Sequence, residues 1–414
     1  MIDLKAARQE PDRYRAALAR RGAAQDFDAL LAADARWREH TERAEALRAA
    51  QRRSSRAGPP GPDEIAELRQ LAAEFAAATE EQSHAARERD ELLARIPNLP
   101  DRAAADGMDE QDAQEVRTWG EPPRFSFPPR DHLELGSPRG WVDMARGSRL
   151  SGSRFAYRIG DVALAEMALY RYAIDYLAAK GFLPVLPPVL AGERAMYGTG
   201  FLPTEESNLY RLEKDDLYLT GTSEVALAGI HMDERLGEDE LPALYAGFTT
   251  NFRREAGAAG KDTRGMFRVH QFDKVEMYVY CVPEESADFL ERLLAYEEEI
   301  VQALGLPYRV MNIAVGDLGA PAAKKYDIEA WFPTQQRYRE ITSCSNTTDY
   351  QARRLNCRFR RDRGLEFVHT LNGTGATARA LLSVMENFQD EGGTVSVPEV
   401  LRGYGAPATL GAPS

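Results

Sequence analysis

The chain has 414 residues, enough for one large domain and an accessory one, with 43% hydrophobic and 28% charged residues and a formal net charge of −13. This is the composition of a soluble globular protein; it argues against a generic nucleic-acid binder, which would be basic overall, but leaves room for a local basic surface. The charged amino-terminal stretch has no signal-peptide core, no apolar run nears the ~20 residues of a membrane helix, and Cys281, Cys344 and Cys357 form no CxxC pair, so a cytoplasmic protein without disulfides or structural zinc is expected.

Residues 1–100 are rich in Ala, Arg, Glu and Leu and poor in β-branched residues. After a short helical lead over Leu4 to Arg20, two long helices are predicted. Leu30, Ala33, Trp37, His40, Ala44 and Leu47 recur at alternating three- and four-residue steps, and so do Ile65, Leu68, Ala72, Phe75, Thr79, Gln82, Ala86, Leu93 and Ile96, with Arg89 breaking the seam. GPPGP (58–62) permits no continuous helix, so the pair folds back as an antiparallel coiled-coil arm, about residues 27–96. Thirty helical residues span about 45 Å, which suits a projecting arm. Pairing of a basic with an acidic helix accounts for part of the charge pattern. It leaves unexplained why Arg48, Arg52, Arg53 and Arg56 crowd toward the tip, where a phosphate backbone is the natural external partner.

From Trp119 the texture changes. A Pro-rich connector, EVRTWGEPPRFSFPPRDHLELG (115–136), leads to an amphipathic helix ending at Gly181, then to strand patterns in PVLPPVL, LYRLEKDDLYLTG, ALYAGFTTNFRRE, FRVHQFDKVEMYVY, YRVMNIAV, YDIEAWFP, RYREITSCSN and LEFVHTLNG. Helices are predicted over 286–304 and 380–389. Consecutive strands with short turns predict an α+β domain over 115–405, an antiparallel sheet flanked by helices, followed by a flexible tail at 406–414.

NGTGATAR (372–379) satisfies GxGxxA between a strand and a helix, the dinucleotide fingerprint. Only GGTVSVPEVL and a loose tail follow, too little for the second parallel strand and its acid, and the nicotinamide reading fails. Other segments share a pattern instead. In LTGTSEV, strand alternation puts Thr222 and Glu224 on one face and Ser223 on the other. Phe272 and Glu276 share a parity; RYREITS offers Arg339, Glu340 and Thr342, and NFRREAGAAGKDTRGMFR adds Arg253 and Glu255. Acids and arginines on inward strand faces are costly unless they pair or bind a charged ligand.

FRREAGAAGKDTRGMFRVHQFDKVEM, GTSEV, YREITSCSNTTDYQARR and HTLNGTG with Arg379 together resemble the motifs of seryl-tRNA synthetase, a class II aminoacyl-tRNA synthetase of bacterial type, and the likeness runs over nearly the whole chain. The resemblance implies a ligase that activates L-serine with ATP and Mg²⁺ and loads tRNA(Ser), with tRNA(Sec) as a second acceptor. It implies an ATP site of Arg253, Arg254, Glu255, Arg268, Val269, Phe272, Glu340, Ile341, Thr342, Ser343 and Arg379, with Arg253, Arg379 and Glu340 catalytic and Glu340 and Ser343 at Mg²⁺. Thr222, Ser223, Glu224, Glu276 and Thr374 would form the serine pocket, the arm would bind tRNA, and Pro188 would lie at a homodimer interface. Two departures stand out. Three residues, not four, separate Gly375 from Arg379, and Thr374 stands where the family commonly has serine. They raise the alternatives of a divergent resistance or secondary-metabolism paralogue, or a catalytically dead tRNA binder. An amino acid:carrier-protein ligase is a further alternative, although such relatives lack the arm.

Overall fold

A computed structural model describes residues 1–54, 62–256, 262, 264–362 and 364–411. It divides into two compact units, Met1–Leu99 and Pro100–Ser414.

In the first unit the expected helical lead is two helices, α1 (Leu4–Gln9) and α2 (Pro11–Ala19). The break falls at Glu10 because Pro11 has no N–H to continue a ladder and sits at the first helical position, where that lack costs nothing. Helices α3 (Ala24–Ser54) and α4 (Pro62–Arg95) follow. Cross-helix pairs Arg36–Glu88 (2.5 Å) and Arg43–Glu81 (2.9 Å) advance along α3 while receding along α4, so the two run antiparallel. Leu18, Phe27, Leu30, Leu93 and Ile96 close the core at the base.

The seam of α4 differs from its prediction by one residue. Ala78 and Ala85 are buried where Thr79 and Ala86 were expected. Arg89 does not break the seam: its guanidinium lies 3.9 Å from the Trp37 ring centroid and completes the three–four repeat as a cation–π contact. Ala78→Leu is therefore expected to force the helices apart at a cost of about 1–3 kcal/mol. Thr79→Leu, on the exposed side, should stay within about 0.5 kcal/mol. Calorimetry of the two variants distinguishes the seams. Arg48, Arg52 and Arg53 are exposed; Arg56 lies outside the described residues.

The second unit is built on an eight-stranded sheet: β1 (Gln114–Trp119), β2 (Leu183–Val185), β3 (Ala243–Phe252), β4 (Gln271–Cys281), β5 (Tyr308–Asn312), β6 (Lys324–Phe332), β7 (Arg337–Thr348) and β8 (His369–Thr377). The order is β1-β5-β6-β7-β8-β4-β3-β2, antiparallel throughout except the β2–β3 edge. One face packs on helices α5 (Asp161–Ala179), α7 (Ser286–Ala303) and α9 (Ala378–Asn387) in the main core. The other face carries the short helices α6 (Ser223–Ala228) and α8 (Tyr350–Leu355) with Tyr278 and Tyr280, and leaves a cavity open beside them. Alternation along β4 makes this possible: Val275, Met277, Val279 and Cys281 face the helices, and the even-numbered residues between them face the other way.

Three expectations are corrected. Gln114–Trp119, read as part of a connector, is an edge strand; its residues are all exposed, so no buried alternation marked it, and pairing with β5 makes it a strand. The tail expected to be flexible from 406 is ordered to its last described residues: Thr409–Leu410 pairs with Val395–Ser396, and Leu410 is fully buried in the core. GTSEV is no strand; the strand stops at Leu219, and Thr222 caps α6, its hydroxyl accepting from Glu224 N at 3.2 Å. Gly373 and Gly375 lie within central strand β8, with no dinucleotide-type turn.

Candidate active site

A cavity of about 490 Å³ opens on the sheet, lined from several distant parts of the chain. Arg253, just beyond the end of β3, donates from Nε to Gly221 O at 3.0 Å, and its guanidinium lies 5.3 Å from the Phe272 ring centroid. Glu255, at a positive φ of 53°, holds Arg268 at 2.7 Å. Arg379, in the first turn of α9, meets Glu340 at 3.1 Å and rests 4.7 Å from the Phe267 ring centroid. Strand β8 passes directly into α9, and the short spacing after Gly375 still leaves Arg379 on the cavity wall.

Strand β7 carries a bulge: Thr342 pairs with Ile328 and Glu340 with Glu329, so Ile341 is the extra residue. The bulge breaks strict alternation, and Glu340, Ile341, Thr342 and Ser343 all line the cavity. Arg339 turns away and pairs with Asp262 at 2.7 Å. At Glu340, burial works against the charged form, but Lys325, Arg379 and Arg253 outweigh it and lower the pKa.

At the other end Glu276, 2% exposed, forms an ion pair with Lys274. Burial pushes its carboxyl up to about 7, Lys274 opposing and Glu224 reinforcing the rise. Glu224 accepts from Gln351 Nε2 (2.7 Å) and Asn372 Nδ2 (2.9 Å), and burial raises its pKa as well. Two carboxyls facing one polar cavity, each costly to ionise alone, suit a cationic ligand group.

Of the sequence-predicted residues, Arg253, Glu255, Arg268, Val269, Phe272, Glu340, Ile341, Thr342, Ser343, Arg379, Thr222, Glu224, Glu276 and Thr374 line this cavity. Arg254 does not; it stacks on Tyr210 at 4.5 Å and donates to Leu209 O. Ser223 points away to Thr249, hydroxyl to hydroxyl at 2.5 Å. Sequence reasoning missed Lys274, Lys325 and Asn372, which also line it. Lys274 shares the parity of Phe272 and Glu276 and could have been found by that signal.

A family profile described as the seryl-tRNA synthetase N-terminal domain matches residues 1–100, and one for the class II tRNA synthetase core domain (G, H, P, S and T) matches residues 208–388. The serine–tRNA ligase of Acidothermus cellulolyticus is 49% identical over 414 residues, covering 98% of each chain. Among solved structures, seryl-tRNA synthetase from Pyrococcus horikoshii complexed with ATP superposes with a TM-score of 0.92 at 37% identity, covering 100% of both chains. The cytoplasmic serine–tRNA ligase of Naegleria fowleri in complex with AMP gives 0.86 at 34% identity, covering 98% of this chain and 96% of that one. These matches do not favour the carrier-protein ligase or the divergent paralogue. The chain belongs to the seryl-tRNA synthetases, the serine–tRNA ligases of class II.

Proposed function

We propose that ATP and L-serine meet in this cavity, where the serine carboxylate attacks the α-phosphorus, forms seryl adenylate and expels pyrophosphate, before the seryl group passes to the 3′ end of serine tRNA. The observation carrying this reading is the convergence of Arg253, Arg379, Glu224 and Glu276, from four distant segments, on one chamber. The nucleophile is already ionised, so positioning and charge stabilisation suffice and no general base is needed. Arg253 faces the α-phosphate, Phe272 and Arg379 flank adenine, and Glu255 reads the adenine amino group. Arg268 takes the outer phosphates, exchanging its present partner Glu255 for another anion. Glu224 and Glu276 hold the serine ammonium beside Thr222 and Thr374.

Magnesium fits on donor grounds. Glu340 and Ser343 offer hard oxygens to the cavity, and no group of three His, Cys, Asp or Glu forms a cage among the described residues, so phosphate oxygens and water would complete the shell. Bound there, the ion would neutralise phosphate charge.

A homodimer is supported by the apolar side chains left exposed around edge strand β2, namely Leu164, Met167, Leu183, Leu186 and Leu190. Exposed Pro188 lies in the same stretch. No helix among the described residues is long and apolar enough to cross a membrane.

Serine-dependent ATP–pyrophosphate exchange followed by charging of tRNA(Ser) tests the whole reading; exchange without serine, or with none of the twenty amino acids, overturns it. The exposure of Arg48, Arg52 and Arg53 supports tRNA binding by the arm. Their triple alanine variant should keep pyrophosphate exchange intact and raise the KM for tRNA, flattening its log–log salt dependence by about 0.7–0.9 for each phosphate no longer neutralised.

A further inference from the structure

Among the described residues, Glu297 is a fully buried carboxyl that the proposed chemistry does not use but that touches the site's framework. It projects from α7 on the helix-covered side of the sheet and is 0% exposed. The β7–β8 ladder ends where Cys344 faces Gly373. Immediately beyond, each strand is bulged: Ile341 is the extra residue in β7, and Gly375 is skipped in β8, between Thr374 opposite Glu276 and Ala376 opposite Val275. Bulges leave ladder groups without their regular partners. Here the Glu297 carboxyl takes up one backbone group, Thr374 N, and with it the Thr342 hydroxyl. Oε1 accepts from Thr374 N at 2.9 Å, and Oε2 accepts from Thr342 Oγ1 at 3.1 Å. Gly373 makes the room, since a Cβ there would come within 3.1 Å of Glu297 Oε1 and 2.9 Å of Met277 Cε.

We propose that Glu297 is a positioning residue for amino-acid recognition, its carboxyl clipping Thr374 to Thr342 across the point where β7 and β8 part. The inference rests on the reading of Thr374 as a wall of the serine pocket. Thr374 and Glu276 sit opposite each other in the β8–β4 ladder, so a shift of Thr374 alters the width of the pocket directly. Burial pushes the Glu297 carboxyl well above the usual range; the bonds from Thr342 and Thr374 oppose the rise, and Glu276 and Asp327 add to it. Glutamine, neutral and similar in shape, can keep an oxygen toward Thr374 N and turn its amide toward the Thr342 hydroxyl, which rotates to accept.

The test measures KM for serine and KM for ATP separately, by pyrophosphate exchange, for wild type, Glu297→Gln and Glu297→Met. Methionine fills the volume without accepting hydrogen bonds. We expect KM for serine to rise on the order of tenfold in Glu297→Met, with KM for ATP within about twofold, and Glu297→Gln to restore serine KM to within about threefold of wild type. Unchanged serine KM in Glu297→Met overturns the proposal, as does a parallel rise in both KM values. If Glu297→Met does not fold, Glu297→Gln decides alone, and a tenfold loss there overturns the clip. Absence of serine-dependent exchange in the wild type would count against the adenylation reading itself, independently of Glu297.

Discussion

Glu276→Ala is expected to abolish serine-dependent pyrophosphate exchange, lowering kcat/KM for serine by at least about a thousandfold while ATP still binds. The carboxyl is buried with Lys274 as its ion-pair partner and Glu224 close enough to raise its pKa. In the proposed pocket, removing it would take a countercharge from the serine ammonium and the ion-pair partner from Lys274, and losing one member of a buried charge pair is severe. Near-normal exchange by this variant would sink the pocket assignment. The isosteric Glu276→Gln adds a pH test. Burial pushes the carboxyl up to about 7. Below that its proton competes with the substrate ammonium, so wild-type kcat/KM for serine should fall about tenfold per pH unit on the acid side, a limb absent from the glutamine variant. Stability runs the opposite way. The folded pKa lies above the unfolded value near 4.5, so the native state holds the extra proton between the two. Stability is then favoured at low pH and lost as pH rises through about 7. Glu276→Gln should recover up to about 3 kcal/mol of that loss above pH 7, seen as a smaller fall in Tm between pH 5 and pH 8 than in the wild type.

Arg253→Ala is expected to lower kcat for adenylation by about 10²–10³ with KM for serine nearly unchanged, because in the proposed reaction the guanidinium would face charge that develops on the phosphate during attack. Its neighbour supplies the control. Arg254 stacks on Tyr210 outside the cavity lining, so Arg254→Ala should leave kcat within about threefold. Single-turnover kinetics on the two variants separate them; equal losses would mean that both arginines serve the site, or that neither serves it specifically.

That pair also marks the limit of sequence reading. The letters FRRE present two arginines of identical chemistry; only the chain's course after β3 decides which one enters the cavity. The same holds for Thr222, Ser223 and Glu224. Strand parity put Thr222 and Glu224 together and Ser223 apart. The outcome stands, but the cause is a helix cap, with Thr222 receiving the Glu224 amide and Ser223 turned to Thr249. In the arm, three–four spacing identified both helices, but small residues fit either of two adjacent stripes. The docking of α3 on α4 chose Ala78 and Ala85 and drew Arg89 onto Trp37.

By itself the sequence determined the helical arm and its fold-back, the α+β class, and the long motifs that place Arg253, Phe272, Glu276, Glu340 and Arg379 in one family, because periodicity and motif order are local properties of the chain. Tertiary structure alone decided what depends on distant partners. Gln114–Trp119 became a strand by pairing with β5, and Leu410 became core by being covered. The bulges at Ile341 and Gly375 let consecutive residues reach the cavity, and Glu297, a plain helix residue in sequence, came to lie beneath Thr374. The reason is physical: burial, pKa and unsatisfied backbone groups are set by neighbours far away along the chain, and no local pattern encodes them.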